Sequence, residues 1–177
     1  MRYFTGERSA QYWLTPFRGR RVENPALSEH QVLALLEQID NELSLTELTH
    51  KYASYQLLSR DTVASAPLAS KLEYLKQAHG TGFEHYWFQT LECILLRELR
   101  ACTWMDSDKL NLYRITSKNS VEHVHTQNEE FDRSLAGDLL HGFGSLVLLS
   151  PGENSSYSNQ AVLKKQAAFL AKPKYDS

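Results

Sequence analysis

The chain has little of several things, and each shortage removes a class of explanation. Its 177 residues include two cysteines, Cys93 and Cys102. Two are too few for a disulfide framework or a cysteine-rich zinc site, and a reducing cytoplasm is the simplest setting. No apolar run approaches the ~18 residues of a membrane span, and "MRYFTGERSA" at the start lacks the apolar block of a signal peptide. Positive charge is not in excess: the formal net charge is −2, so nothing global marks a nucleic-acid binder. A Walker-type Gly-x-x-x-x-Gly-Lys-Ser loop is missing, as are internal repeats and low-complexity segments.

What is present suits one domain, or one with a small appendage. Apolar residues make up 42% and aromatics 11%, enough for a core. Charge gathers locally in "FRGRR" (Phe17 to Arg21) and in Lys164, Lys165, Lys172 and Lys174. Such clusters serve equally as solvated surface or as contacts to a polyanion.

Residues 1–27 read as irregular, punctuated by Gly6, Pro16, Gly19 and Pro25. "SEHQ" then starts a helix, with Ser28 as cap and Gln31 three residues on; Val32, Leu35, Leu36 and Ile39 share its apolar face. "SLTE" (Ser44, Glu47) repeats the device, and Pro67 opens a third helix ending near "HGTG". The strongest periodicity runs from Phe83 to Arg100, where Phe83, Trp87, Leu91 and Leu95 form a core stripe widened by Phe88, Ile94 and Leu99. From Lys109 the pattern changes: "LNLYRI" and "SVEHVHTQ" read as extended, "NEEFDRSLAGD" as a loop, and "FGSLVLLS" as a strand ended by "PGE". A last helix runs through "NSSYSNQAVLKKQAAFLAK", its lysines late as the helix dipole prefers. The fold expected is α+β and mainly α-helical, with a helical lead-in over residues 1–107 and a ββα unit over residues 108–177.

The chemistry concentrates in "VEHVHTQ", Val121 to Gln127. Strand alternation puts His123 and His125 on one face and Glu122 on the other, although a twist or bulge at the strand end would let Glu122 and His123 reach one focus. A carboxylate oxygen suits a divalent ion such as Mg²⁺, and a neutral imidazole takes a proton from water near pH 7. A one-metal phosphodiesterase needs that pair. A plain strand with two surface histidines fits the same seven residues. Asn154, at the strand-to-helix junction, offers an amide oxygen to complete a metal shell, or else caps the helix. Lys164 and Lys165 lie further along the same helix, placed to meet a phosphate backbone.

These segments resemble the C-terminal HNH nuclease domain of GmrSD-type restriction endonucleases. The family pattern reads Ile-Glu-His-Ile-x-Pro-Gln, then His-x-x-Gly-Asn-Leu-x-Leu-Leu, then Asn-Ser-x-x-Ser-Asn and a lysine. Glu122, His123 and Gln127 match the first block; His141, Gly144, Leu146, Leu148 and Leu149 the second; Asn154, Ser155, Ser158, Asn159 and Lys165 the third. "FEHYWFQTLECILLRE" is similar to the aromatic helix that precedes the motif, so the resemblance covers about residues 83–170.

The resemblance implies a ββα-metal finger that cuts DNA in a defence system against foreign or modified DNA. His123 would be the general base, and Glu122 and Asn154 would hold Mg²⁺ or Mn²⁺. Asn159 and Ser158 would support the site, Lys165 would touch phosphate, and His141 would orient. His125 shares the face of His123 and would aid metal or phosphate binding or stand by. Two positions depart from the pattern: Thr126 stands for the proline, and Ser145 for the asparagine that pins the loop between the strands. The resemblance also implies an N-terminal ParB-like nucleotide-hydrolysing domain, in the same full-length chain or on a partner subunit. The chain is accordingly expected to be a fragment or a separate nuclease subunit, cytoplasmic, with no membrane partner, and a homodimer would suit two cuts in a duplex. Two other readings compete. One is a DNA- or partner-binding helical module with a degenerate, inactive finger; the other is a helical interaction domain without DNA affinity.

Overall fold

The computed structural model describes residues 11–46, 50–59, 68–99, 102–103, 106–113, 118, 120–127, 135–157 and 160–173. Among these residues the protein is mainly helical, with one small two-stranded sheet. It divides into two compact units, Arg8–Tyr74 and Leu75–Ser177, and no described helix is long and apolar enough to cross a membrane.

The N-terminal unit is built on α1 (Leu14–Glu23), α2 (Glu29–Leu45) and α3 (His50–Ser59), followed by α4 (Leu68–Lys76). Where composition suggested irregular chain, α1 forms: Pro16 falls in its first turn, where a missing N–H costs nothing, and the residue is buried. Gly19 lies within α1 in close approach to Leu58, whose side chain a Cβ at this position would meet. The expected capping box of α2 is complete, with Gln31 N–H donating to Ser28 Oγ and Ser28 N–H to Gln31 Oε1. Ser44 starts no helix. It lies inside α2 with its hydroxyl donating to Asn41 O, because Leu43 and Ile39 draw this last turn into the core with Ala53 and Leu57. Glu47 and Pro67 lie outside the described residues.

The C-terminal unit carries α5 (His85–Leu99), α6 (Ser107–Leu112), β1 (Ser120–His123), α7 (Gly137–His141), β2 (Leu146–Leu149), α8 (Pro151–Tyr157) and α9 (Val162–Leu170). The segment around Leu110 is helix where a strand was expected. Asp106 caps it, accepting from the N–H groups of Asp108 and Lys109, and this local bond outweighs a short apolar alternation. The stripe on α5 is only partly core. Tyr86, Phe88 and Gln89 are buried, whereas Leu91, Ile94 and Leu95 are 40–45% exposed. Phe83, Phe88 and Phe143 form a cluster with ring centroids 4.7–6.4 Å apart.

β1 and β2 pair antiparallel, with Val121 opposite Leu148 and Glu122 opposite Val147. Opposed residues share a face, so buried Val121, Leu146 and Leu148 define one side and Ser120, Glu122, Val147 and Leu149 the other. The final helix of the sequence reading is two helices. α8 begins at Pro151, with Ser150 and Glu153 exchanging hydrogen bonds as a capping box. Asn154 therefore follows the cap instead of being it, and its N–H bonds to Ser150 O.

Candidate active site

Two clusters flank the end of β1. On the face towards α8, Glu122 Oε1 accepts from Asn154 Nδ2 at 2.7 Å and from Ser120 Oγ at 2.7 Å, and Asn154 Nδ2 also reaches Ser120 Oγ at 3.2 Å. Local structure explains each position. Ser120 and Glu122 are two apart on one strand face, and the capping box fixes the turn of α8 that presents Asn154. Ser120 was missed from the sequence, although its spacing from Glu122 was a usable signal.

On the opposite face, His123 Nε2 lies 3.1 Å from His141 Nδ1, with the rings edge to face at 77°. One nitrogen donates and the other accepts. The His123 imidazole titrates below its ordinary value: burial disfavours the cation, and the neighbouring His141 and Lys165 add to this against the opposing pull of Glu122. His141 is backed by Gly80, which adopts a left-handed φ of +55°. A Cβ at Gly80 would stand 3.0 Å from His141 Nδ1, so glycine serves both the turn and the ring beside it.

Ser145, in the family's asparagine position, donates its hydroxyl to Leu139 O at 2.6 Å, and its carbonyl accepts from Val124 N–H at 3.0 Å. Lys165 Nζ donates to His123 O at 3.2 Å and Val124 O at 3.1 Å. Lys172 is paired with Glu153, and Lys164 is exposed. The basic tail cluster is thus partly consumed inside the fold. His125 lies in the bend after β1, so the alternation that would align it with His123 stops short of it; its Nδ1 is buried with no hydrogen-bond partner among the described residues. Ser158, Asn159 and Lys174 lie outside the described residues.

A cavity of about 420 Å³ opens between the sheet and α8–α9, lined by Glu122, His123, Asn154 and Lys165 with apolar walls that include Val147 and Phe169. A larger cavity, about 580 Å³, lies on the N-terminal unit beside Arg20, Glu23 and Gln38. Its lining brings Arg20 and Glu23 together with the amides of Asn24, Gln31 and Gln38.

Among the described residues no three His, Cys, Asp or Glu side chains cluster, so the protein offers a carboxylate and an amide. Hard oxygens suit Mg²⁺ or Mn²⁺, and Mg²⁺ commonly keeps waters and phosphate oxygens beside one or two protein ligands. The amide nitrogen of Asn154 now faces Glu122. Rotation about its Cβ–Cγ bond would turn Oδ1 to the same point, and with that adjustment the residues fit the ion.

Comparison with curated proteins and comparison with solved structures each returned no match. Comparison with protein families matches residues 69–176, more than half of the chain, to the C-terminal domain of GmrSD restriction endonucleases. That span contains β1, β2, α8 and the Glu122–Asn154 and His123–His141 pairs, and the chain belongs to the GmrSD restriction endonuclease C-terminal domain family.

Proposed function

We propose that this restriction-endonuclease-related module is an HNH-type, divalent-metal-dependent DNA endonuclease with His123 as its general base. The observation that carries the reading is the disposition of two pairs about one strand end: Glu122 with Asn154 on one face, His123 with His141 on the other. Phosphoryl transfer places the attacking and leaving oxygens roughly in line through phosphorus. A phosphodiester laid across the edge of β1 therefore meets the base from one side and the oxygen ligands from the other.

His123 donates Nε2–H to His141 Nδ1, which leaves the Nδ1 lone pair of His123 to take a proton from water. The His141 contact fixes the tautomer and the plane of the ring, so His141 positions the base. Water attacks phosphorus, its proton passes to His123, and the bond to the leaving 3′ oxygen breaks, that oxygen taking a proton from solvent to leave as a hydroxyl. Glu122 and Asn154 would hold a divalent cation, which would supply Lewis-acid stabilisation of the charge developing on the phosphate. DNA is the substrate partner. A nucleotide-hydrolysing ParB-like domain, a homodimeric arrangement for cutting both strands, and a cytoplasmic defence role complete the proposal.

The test is plasmid cleavage with Mg²⁺, Mn²⁺ or EDTA by the chain and by His123→Ala and Asn154→Ala. Metal-dependent nicking that falls at least about 100-fold in His123→Ala supports the base; cleavage indifferent to that change refutes it. One observation favours a binding module with an inactive finger, namely that Asn154 already satisfies Glu122 through its N–H. That reading predicts DNA binding with no metal-dependent cleavage.

A further inference from the structure

The two lysines of "KK" at 164 and 165 part company in the fold. Lys164 is exposed, whereas Lys165 is half-buried and spends two of its three N–H donors on consecutive main-chain carbonyls, those of His123 and Val124. In a regular strand, consecutive carbonyls point to opposite edges. One ammonium reaches both only because the chain turns where β1 ends, between the Val124 N–H bond to Ser145 O and the bend at residues 124–125. Burying an ammonium is costly unless acceptors replace its water, and these carbonyls supply them. The bonds span 42 and 41 positions of sequence. They join the first turn of α9 to the residue that carries the imidazole, next to Glu122.

We propose that Lys165 is a positioning residue: it acts on DNA hydrolysis through the main chain of His123, setting the angle at which the imidazole leaves β1, and not by contact with DNA phosphate. The inference rests on the endonuclease reading and adds to it the part played by α9. A tie of this kind holds the imidazole in one plane relative to the Glu122 face, and a misplacement of about 1 Å at a reacting group costs roughly 100-fold in rate.

The experiment compares the full chain with Lys165→Met, which keeps the aliphatic stem and removes the donors, and with Lys165→Arg, which keeps donors. For Lys165→Met we expect kcat to fall about 100-fold while KM for plasmid DNA stays constant. The slope of log DNA affinity against log salt stays unchanged, and the His123 imidazole resonances move in ¹⁵N–¹H spectra. Lys165→Arg recovers most of kcat. A phosphate contact gives the reverse pattern: KM rises, kcat survives, and the salt slope shrinks by about one. That result overturns the proposal. A wild-type chain that binds DNA but cleaves none sinks the endonuclease reading. The spectra then decide the tie alone: His123 resonances displaced in Lys165→Met but restored in Lys165→Gln, which keeps a donor without the charge, sustain it, and resonances unmoved, or displaced equally in both, overturn it. Should Lys165→Met not fold, Lys165→Gln, with a shorter neutral donor, is measured the same way.

Discussion

Replacing Glu153 by glutamine probes the joint that presents Asn154. Burial on its own pushes this carboxyl up, but four interactions outweigh it. These are the hydrogen bond from Lys172, those from the N–H and hydroxyl of Ser150, and the charge of nearby Lys118, and together they hold Glu153 at about 2 instead of 4.5. The side chain is 16% exposed, so solvent screening removes little of the effect. At about 1.36 kcal/mol per pKa unit, the depression corresponds to an upper value of roughly 3 kcal/mol of stability at pH 7. The sign follows from the folded value lying below the unfolded one. The contribution is complete above pH 4.5 and is lost as the pH falls towards 2. Near pH 3 about half remains, because the unfolded carboxyl is then protonated and the folded one is not. Urea unfolding of the chain and of Glu153→Gln should therefore differ by about 2–3 kcal/mol at pH 7 and by about half of that, roughly 1–1.5 kcal/mol, at pH 3. A difference under about 0.5 kcal/mol at pH 7, the range of an isolated surface pair, would refute the reasoning. So would a difference that does not narrow on acidification.

Two further expectations concern the base and its backing. Because burial, His141 and Lys165 lower the His123 value below the ordinary 6.5, and the proposed base works only when neutral, the acidic limb of the kcat/KM–pH profile, which reports the free enzyme, should fall below pH 6.5; a limb above it contradicts the proposed environment. Gly80→Ala must hold φ near +55° with its Cβ 3.0 Å from His141 Nδ1. It should cost about 1–2 kcal/mol in unfolding free energy and displace the His141 ring resonances, whereas an unchanged stability would mean that the turn relaxes freely.

The sequence by itself determined what is local or carried by a motif. Ser28 and Gln31 specify the start of α2 because both partners of the capping box lie within one turn. The β-prone run before Ser150 was legible for the same reason, whereas Glu122, His123 and Asn154 were grouped by resemblance to the family's motif, because spacing alone left a plain strand and a helix cap equally open. Ser150 and Glu153 carry a local signal of the same kind, since Ser-Pro-Gly-Glu is a cap with proline at the first helical position, although the turn character of Pro-Gly points equally to a strand end. Tertiary structure decided what depends on distant partners. Ser44 and Glu47 look like a second cap, yet burial of Ile39 and Leu43 extends α2 past Ser44. Leu91, Ile94 and Leu95 keep helical spacing but remain half-exposed, because periodicity names a face and not what covers it. His123 and His141 are 18 residues apart, and Lys165 is 42 from the carbonyl of His123. No spacing rule links them; only the antiparallel register of β1 with β2 and the placement of α9 bring them together. A lysine that reads as a phosphate contact when its charge is considered alone is, once folded, a donor to the backbone of His123 and Val124, because burial leaves its ammonium needing acceptors that the end of β1 supplies.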